Sequence, residues 1–70
     1  MPTFRYYLLD RNGSIIGAEY LDSPDLNAAI VEVCISCRDL GAGRVRGFEI
    51  WQDSTLLHEE ICESAMTLSL

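Results

Sequence analysis

The chain contains no lysine, and its five basic residues are all arginine (Arg5, Arg11, Arg38, Arg44, Arg46). Against them stand eleven acids, so the formal net charge is −6. The imbalance is uneven. Residues 1–47 carry six acids and every arginine, whereas residues 48–70 carry five acids (Glu49, Asp53, Glu59, Glu60, Glu63) and no base. Nucleic-acid binding draws most of its affinity from neutralising phosphates, so a direct nucleic-acid reader is not expected. The acidic end suits either a solvated face or a basic protein partner.

Long apolar runs are missing as well. Nothing approaches the roughly 18 residues that span a bilayer, so no membrane association is expected. The opening "MPTFRYYLLD" has neither a charged leader nor a small-residue cleavage site, and a cytoplasmic location with reduced cysteines is the expectation. There are only three cysteines, an odd number, which argues against a disulfide framework.

What is present is a chain of 70 residues that is 49% hydrophobic, too apolar for disorder and long enough for one domain. A chain this short buries only about 60% of the surface its unfolded form exposes. Its core is thin, and a metal, a disulfide or an oligomer interface is the usual remedy.

The apolar periodicity supplies an order of elements. "TFRYYLLD" suits a strand with Phe4, Tyr6 and Leu8 on one face and Arg5, Tyr7 and Leu9 on the other. Asn12-Gly13 predicts a type I′ turn, and "SIIGAEYL" returns as a second strand in which Gly17 marks a bulge. Ser23 is the expected N-cap of a helix entered through Pro24, and Gly41 its C-terminal stop. Leu26, Ile30, Val33, Cys37 and Leu40 make one helical stripe, which Ala29 and Cys34 widen. Val31 and Ile35 lie off that stripe and hint at a second buried surface. "GAGRVRG" reads as a loop, and "FEIWQ" and "LLHEEI" as a second hairpin turning on Asp53-Ser54. Counting back from that turn places Glu49 opposite His58. The fold expected is α+β: a ββαββ chain, a small antiparallel sheet with one amphipathic helix packed on one face. Residues 1–62 form the single domain, and residues 63–70 are a tail whose order the sequence leaves open.

The opening "MPTFRYYLLD", the helix entry "SPDLNAA", and "GFEIWQD" followed by "LLHEEI" resemble a family of short bacterial domains of unknown function, common in alphaproteobacteria. Its members open M-P-x-[FY]-x-[FY] and close with an E-[IV]-x-D hairpin. The resemblance covers residues 1 to about 61 and implies the same hairpin-helix-hairpin fold, with no activity to carry over. The chain departs from that family in its cysteines and in a second turn without the usual D-x-x-G glycine.

Several motifs invite chemistry. Cys34, Cys37, His58 and Cys62 form C-x2-C-x20-H-x3-C, the ligand types of a tetrahedral zinc site. The first pair lies inside a helix, however, and on a strand His58 and Cys62 would stand about 13 Å apart. Small, inert core side chains are the plainer reading of Cys34 and Cys37. A thioredoxin-like couple needs a thiol at a helix N-terminus, and about ten helical residues precede Cys34. Gly41-Ala-Gly43-Arg-Val-Arg-Gly47 runs from helix to strand, opposite to a dinucleotide fingerprint. His58 is the one candidate general base, and no nucleophile is tied to it. No catalytic residue, cofactor or metal is therefore expected.

Trp51 carries the most weight. With Phe48 and Ile50 turned to the helix, Trp51 falls on the uncovered sheet face beside Leu56, with Arg5, Tyr7, Leu9, Ile16 and Tyr20 as candidates to share it. Large apolar groups on an uncovered face call for a cover. The function expected is a small non-catalytic protein-interaction domain that self-associates as a dimer, with Trp51, Tyr7, Tyr20, Leu56, Val31 and Ile35 as interface candidates. The alternative is a metal- or thiol-dependent regulator using Cys34, Cys37, His58 and Cys62. A third reading is an acidic antitoxin-like partner of a basic protein, since small antitoxins of the HicB kind share the hairpin-helix layout. Their D-L-P-G turn is absent here.

Overall fold

A computed structural model of the chain describes residues 1–41 and 43–61. The first hairpin is organised by Asp10. Its Oδ1 accepts hydrogen bonds from the amides of Asn12 and Ser14, both at 2.9 Å, and its carbonyl accepts from the Gly13 amide at 3.0 Å. Gly13 alone in this loop takes a positive φ, 82°. The connection is thus a three-residue loop closed by a left-handed glycine, not the type I′ turn expected from Asn12-Gly13, because the Asp10 carboxylate satisfies the loop amides without Asn12 turning left-handed.

This loop joins β1 (Thr3–Leu9) to β2 (Ile15–Asp22) in antiparallel register. Leu8 pairs with Gly17 and Leu9 with Ile15, so the extra residue is Ile16, one position before the glycine expected to bulge. The shift brings Leu21 against the core, while Tyr20 stays 74% exposed.

Helix α1 spans Leu26–Leu40. Its N-cap is Asp25, not Ser23: the Asp25 carboxylate accepts from the Ala28 amide at 2.8 Å. Ser23 is instead buried where β2 meets the helix, its amide donating to the Pro2 carbonyl at 3.1 Å. A buried serine at that junction is held by the backbone and cannot reach the helix entry, so the next acidic side chain takes the role. At the other end Gly41 has φ 101°, and its amide donates to the Arg38 carbonyl, which is the stop the sequence predicts. Ala29, Val33 and Cys37 are buried, with Leu26, Ile30 and Cys34 packed beside them. Leu40, the last residue expected on this stripe, is exposed in the final turn.

Strands β3 (Gly47–Gln52) and β4 (Thr55–Ile61) complete a four-stranded antiparallel sheet of order β2-β1-β3-β4, so the fold is α+β with the ββαββ element order. The helix packs on the two central strands. There Phe4, Leu8, Phe48 and Ile50 form the core with the helix stripe. Val45, expected in a loop, is 1% exposed and belongs to this core.

The second hairpin also differs from the count along its sequence. Asp53 takes a positive φ of 55°, and Trp51 pairs with Leu56, but the register then shifts at Leu57. His58 therefore sits opposite Ile50, and Glu49 faces Glu59, where the sequence had placed His58. Leu57 is the inserted residue, and it packs against the core; burying that side chain is what displaces the register. Gly47 is buried where β3 meets the end of β4: a Cβ there would collide with the Glu60 carbonyl oxygen and lie 3.2 Å from the Ile61 Cα. Cys62, and with it residues 63–70, lie outside the described residues.

Candidate interaction surface

Residues directly opposite in an antiparallel sheet share a face, so the register assembles the uncovered side row by row. One row crosses all four strands as Tyr20, Arg5, Trp51 and Leu56. The next is Ala18, Tyr7, Glu49 and Glu59, and the third Ile15, Leu9, Gly47 and Ile61. Four of the six expected interface residues, Trp51, Tyr7, Tyr20 and Leu56, thus fall on one surface.

Its centre is a residue whose role the sequence did not reveal. The Arg5 guanidinium carbon lies 5.4 Å from the centre of the Tyr7 ring and 6.0 Å from that of Trp51. Both distances place the cation within reach of the negative ring faces. Nη2 donates to the Asp53 carbonyl at 3.2 Å, tying the cation to the β3–β4 turn. Its Nε is buried and has no acceptor among the described residues. The signal was the alternation "FRYY", which sets Arg5 and Tyr7 on one side, with Trp51 supplied by a strand more than forty residues away.

Beside this stack the Trp51 Nε1 donates to Glu49 Oε1 at 3.0 Å. Glu49 directly opposes Glu59 on β4. Like charges directly opposite on neighbouring strands are destabilising, so the sheet tolerates here a pair that works against its own stability. Tyr7, Trp51 and Arg5 are half-buried, while Tyr20, Leu56, Ile15 and Ile61 are exposed.

Val31 and Ile35, the other two interface candidates, are 58% and 49% exposed on α1. Ile35 borders a groove of about 330 Å³ between the helix and β2, with Tyr6, Glu19, Tyr20, Leu21, Glu32 and Ser36. The helix covers the opposite side of the sheet from Trp51, and the two sets of candidates meet only at the β2 edge, where Tyr20 borders the groove that Ile35 also lines.

The cysteine-histidine motif is dispersed. Cys37 is buried and Cys34 half-buried on α1, and neither forms a disulfide. His58 stacks its ring 5.9 Å from Phe48, and its Nε2 lies 3.0 Å from Glu60 Oε1. Among the described residues no three His, Cys, Asp or Glu side chains gather around a point where a metal ion could sit. Cys62, the fourth member, lies outside those residues.

A hollow of about 610 Å³ lies at one end of the sheet. Its lining includes Asp10, Arg46, Glu59 and Glu60, but no serine, threonine or cysteine among the described residues. Asp10 is engaged by the loop amides, and Glu60 by His58. Among the described residues no helix is long and apolar enough to cross a membrane.

Comparison with known proteins adds no relative: no protein-family model, no curated protein and no solved structure matches this chain.

Proposed function

We propose that this chain is a small non-catalytic protein-interaction domain that works by self-association, as a homodimer. One observation carries the reading: the sheet face away from α1 displays the cross-strand row Tyr20–Arg5–Trp51–Leu56 with no element of the described chain over it. Tryptophan, tyrosine and arginine are the side chains that dominate binding energy when a partner covers them. Their clustering supports a surface that another protein buries. A thin core gives self-association a second role, since an interface adds buried area that a 70-residue chain cannot supply alone.

Sedimentation equilibrium of the untagged protein over a concentration series tests the reading. Wild type should fit a reversible monomer–dimer scheme in the micromolar range. Trp51→Ser should weaken association at least tenfold, the loss of about 1.4 kcal/mol or more that removal of one central aromatic brings. A monomer at every concentration would refute self-association.

A further inference from the structure

We infer that two copies of the chain meet open face to open face, about a twofold axis that sets Arg5 of each copy on Glu59 of the other. The inference rests on the self-association proposed above and adds its surface and its charge pairing.

Two opposite-charge pairs form in this arrangement. The open face carries one cation, Arg5, in the row of Trp51, and an opposed pair of carboxylates, Glu49 and Glu59, in the adjacent row. β1 and β4 are two strands apart and the rows two residues apart, so the Cα atoms of Arg5 and Glu59 are separated by roughly 12 Å. They are held apart within one chain, each with a use for the other's charge. A twofold interface is self-complementary: whatever residue i of one copy touches, its equivalent touches in return. An axis lying in the interface midway between the two positions exchanges them, forming two Arg5–Glu59 pairs at once. β3 lies between β1 and β4, so the same axis passes between Trp51 and Glu49 and sets each near its own copy, the Glu49 contact being a like-charge opposition that the two Arg5–Glu59 pairs must outweigh. The tryptophan then packs against its own copy and the partner's Leu56, the central position that dominant interface residues occupy. Each Glu59 finds in Arg5 of the other copy the counter-charge that its opposed Glu49 denies it.

The size also fits. Four strands about 4.8 Å apart, each presenting about seven residues at 3.3 Å, make a face of roughly 450 Å² in projection, and side-chain relief raises the accessible area above that. A stable interface buries about 600–1,000 Å² on each partner. The open face is of that order. On the helix side Val31 and Ile35 stand among Glu32, Arg38 and Asp39, so that surface also carries charges of both signs, but it has no tryptophan or tyrosine at its centre.

Charge exchange tests the pairing. Three proteins are compared by sedimentation equilibrium: R5E, E59R, and the double variant R5E/E59R, with circular dichroism to confirm that each is folded. Each single variant sets like charges against each other at both contacts, and its dimer should weaken at least tenfold. The double variant restores opposite charges at both, and its dissociation constant should return to within about threefold of wild type. An equimolar mixture of the two single variants should form a heterodimer. E59R, exposed on β4, keeps the test valid should R5E disturb the Arg5 stack.

A folded E59R that dimerises like wild type overturns the pairing, as does a folded double variant that stays monomeric. If wild type dimerises and V31E or I35E abolishes dimerisation while E59R does not, self-association stands and the open face is not its seat. A wild-type monomer that binds a polylysine probe through the open face overturns both readings in favour of a basic protein partner.

Discussion

Beneath α1, strands β1 and β3 present Phe4, Leu8, Phe48 and Ile50, all buried; one residue further along, the same two strands present Arg5, Tyr7, Glu49 and Trp51, all half-buried. The first set is purely apolar and touches a helix of this chain. The second mixes aromatic rings with charge and is held in place by cation–ring stacking and by hydrogen bonds from Arg5 and Trp51. One face is arranged so that the chain folds. The other holds large side chains in a fixed geometry without closing over them, which is the condition of a surface prepared for contact.

Three changes should break or sharpen this contrast. The largest is on the covered face. Phe48→Ala removes a fully buried ring and should cost about 3–5 kcal/mol in urea unfolding, close to the whole stability of a domain this small. Loss of under about 1 kcal/mol would mean that the helix and sheet are not packed as described. On the open face the effects are small and of opposite sign. Glu59→Gln removes the like-charge opposition to Glu49 and should raise the stability of the monomer by about 0.3 kcal/mol, an increment lost at high salt. An unchanged or lower midpoint would show that Glu59 is already neutralised within its own chain. Asp53→Gly relieves a left-handed aspartate while preserving the carbonyl that holds Arg5, and should add about 0.5 kcal/mol. A destabilised Asp53→Gly would mean that the aspartate side chain holds the turn.

Much of the covered face could be read from the sequence, because period alone places Phe4, Leu8, Val33, Cys37, Phe48 and Ile50. What period cannot show is an inserted residue. Ile16 and Leu57 each add one position to an outer strand, and only the packing decides which residue is left over. That is why Gly17 was one residue off as the bulge, and why His58 was set against Glu49. Ser23 and Asp25 both suit a helix N-cap by chemistry, and the burial of Ser23 against the start of β1 makes the choice. Val45 lies between Arg44 and Arg46 in a glycine-rich stretch, so nothing local marks it as core. The candidate surface was placed by the same alternation that gave the strands. Its centre went unnoticed because an arginine among tyrosines looks like ordinary strand alternation until Trp51 arrives from another hairpin.

The seam between β1 and β3 has a further consequence. Each hairpin joins strands separated by a short turn, but Tyr6 meets Ile50 only after the whole of β2 and α1 has been laid down between them. Loop closure across that span costs more entropy than either turn, so the seam should form after the two hairpins. Arg5 on one side of that seam and Trp51 on the other are neighbours across it. The two halves of the open face therefore come together only when that contact closes.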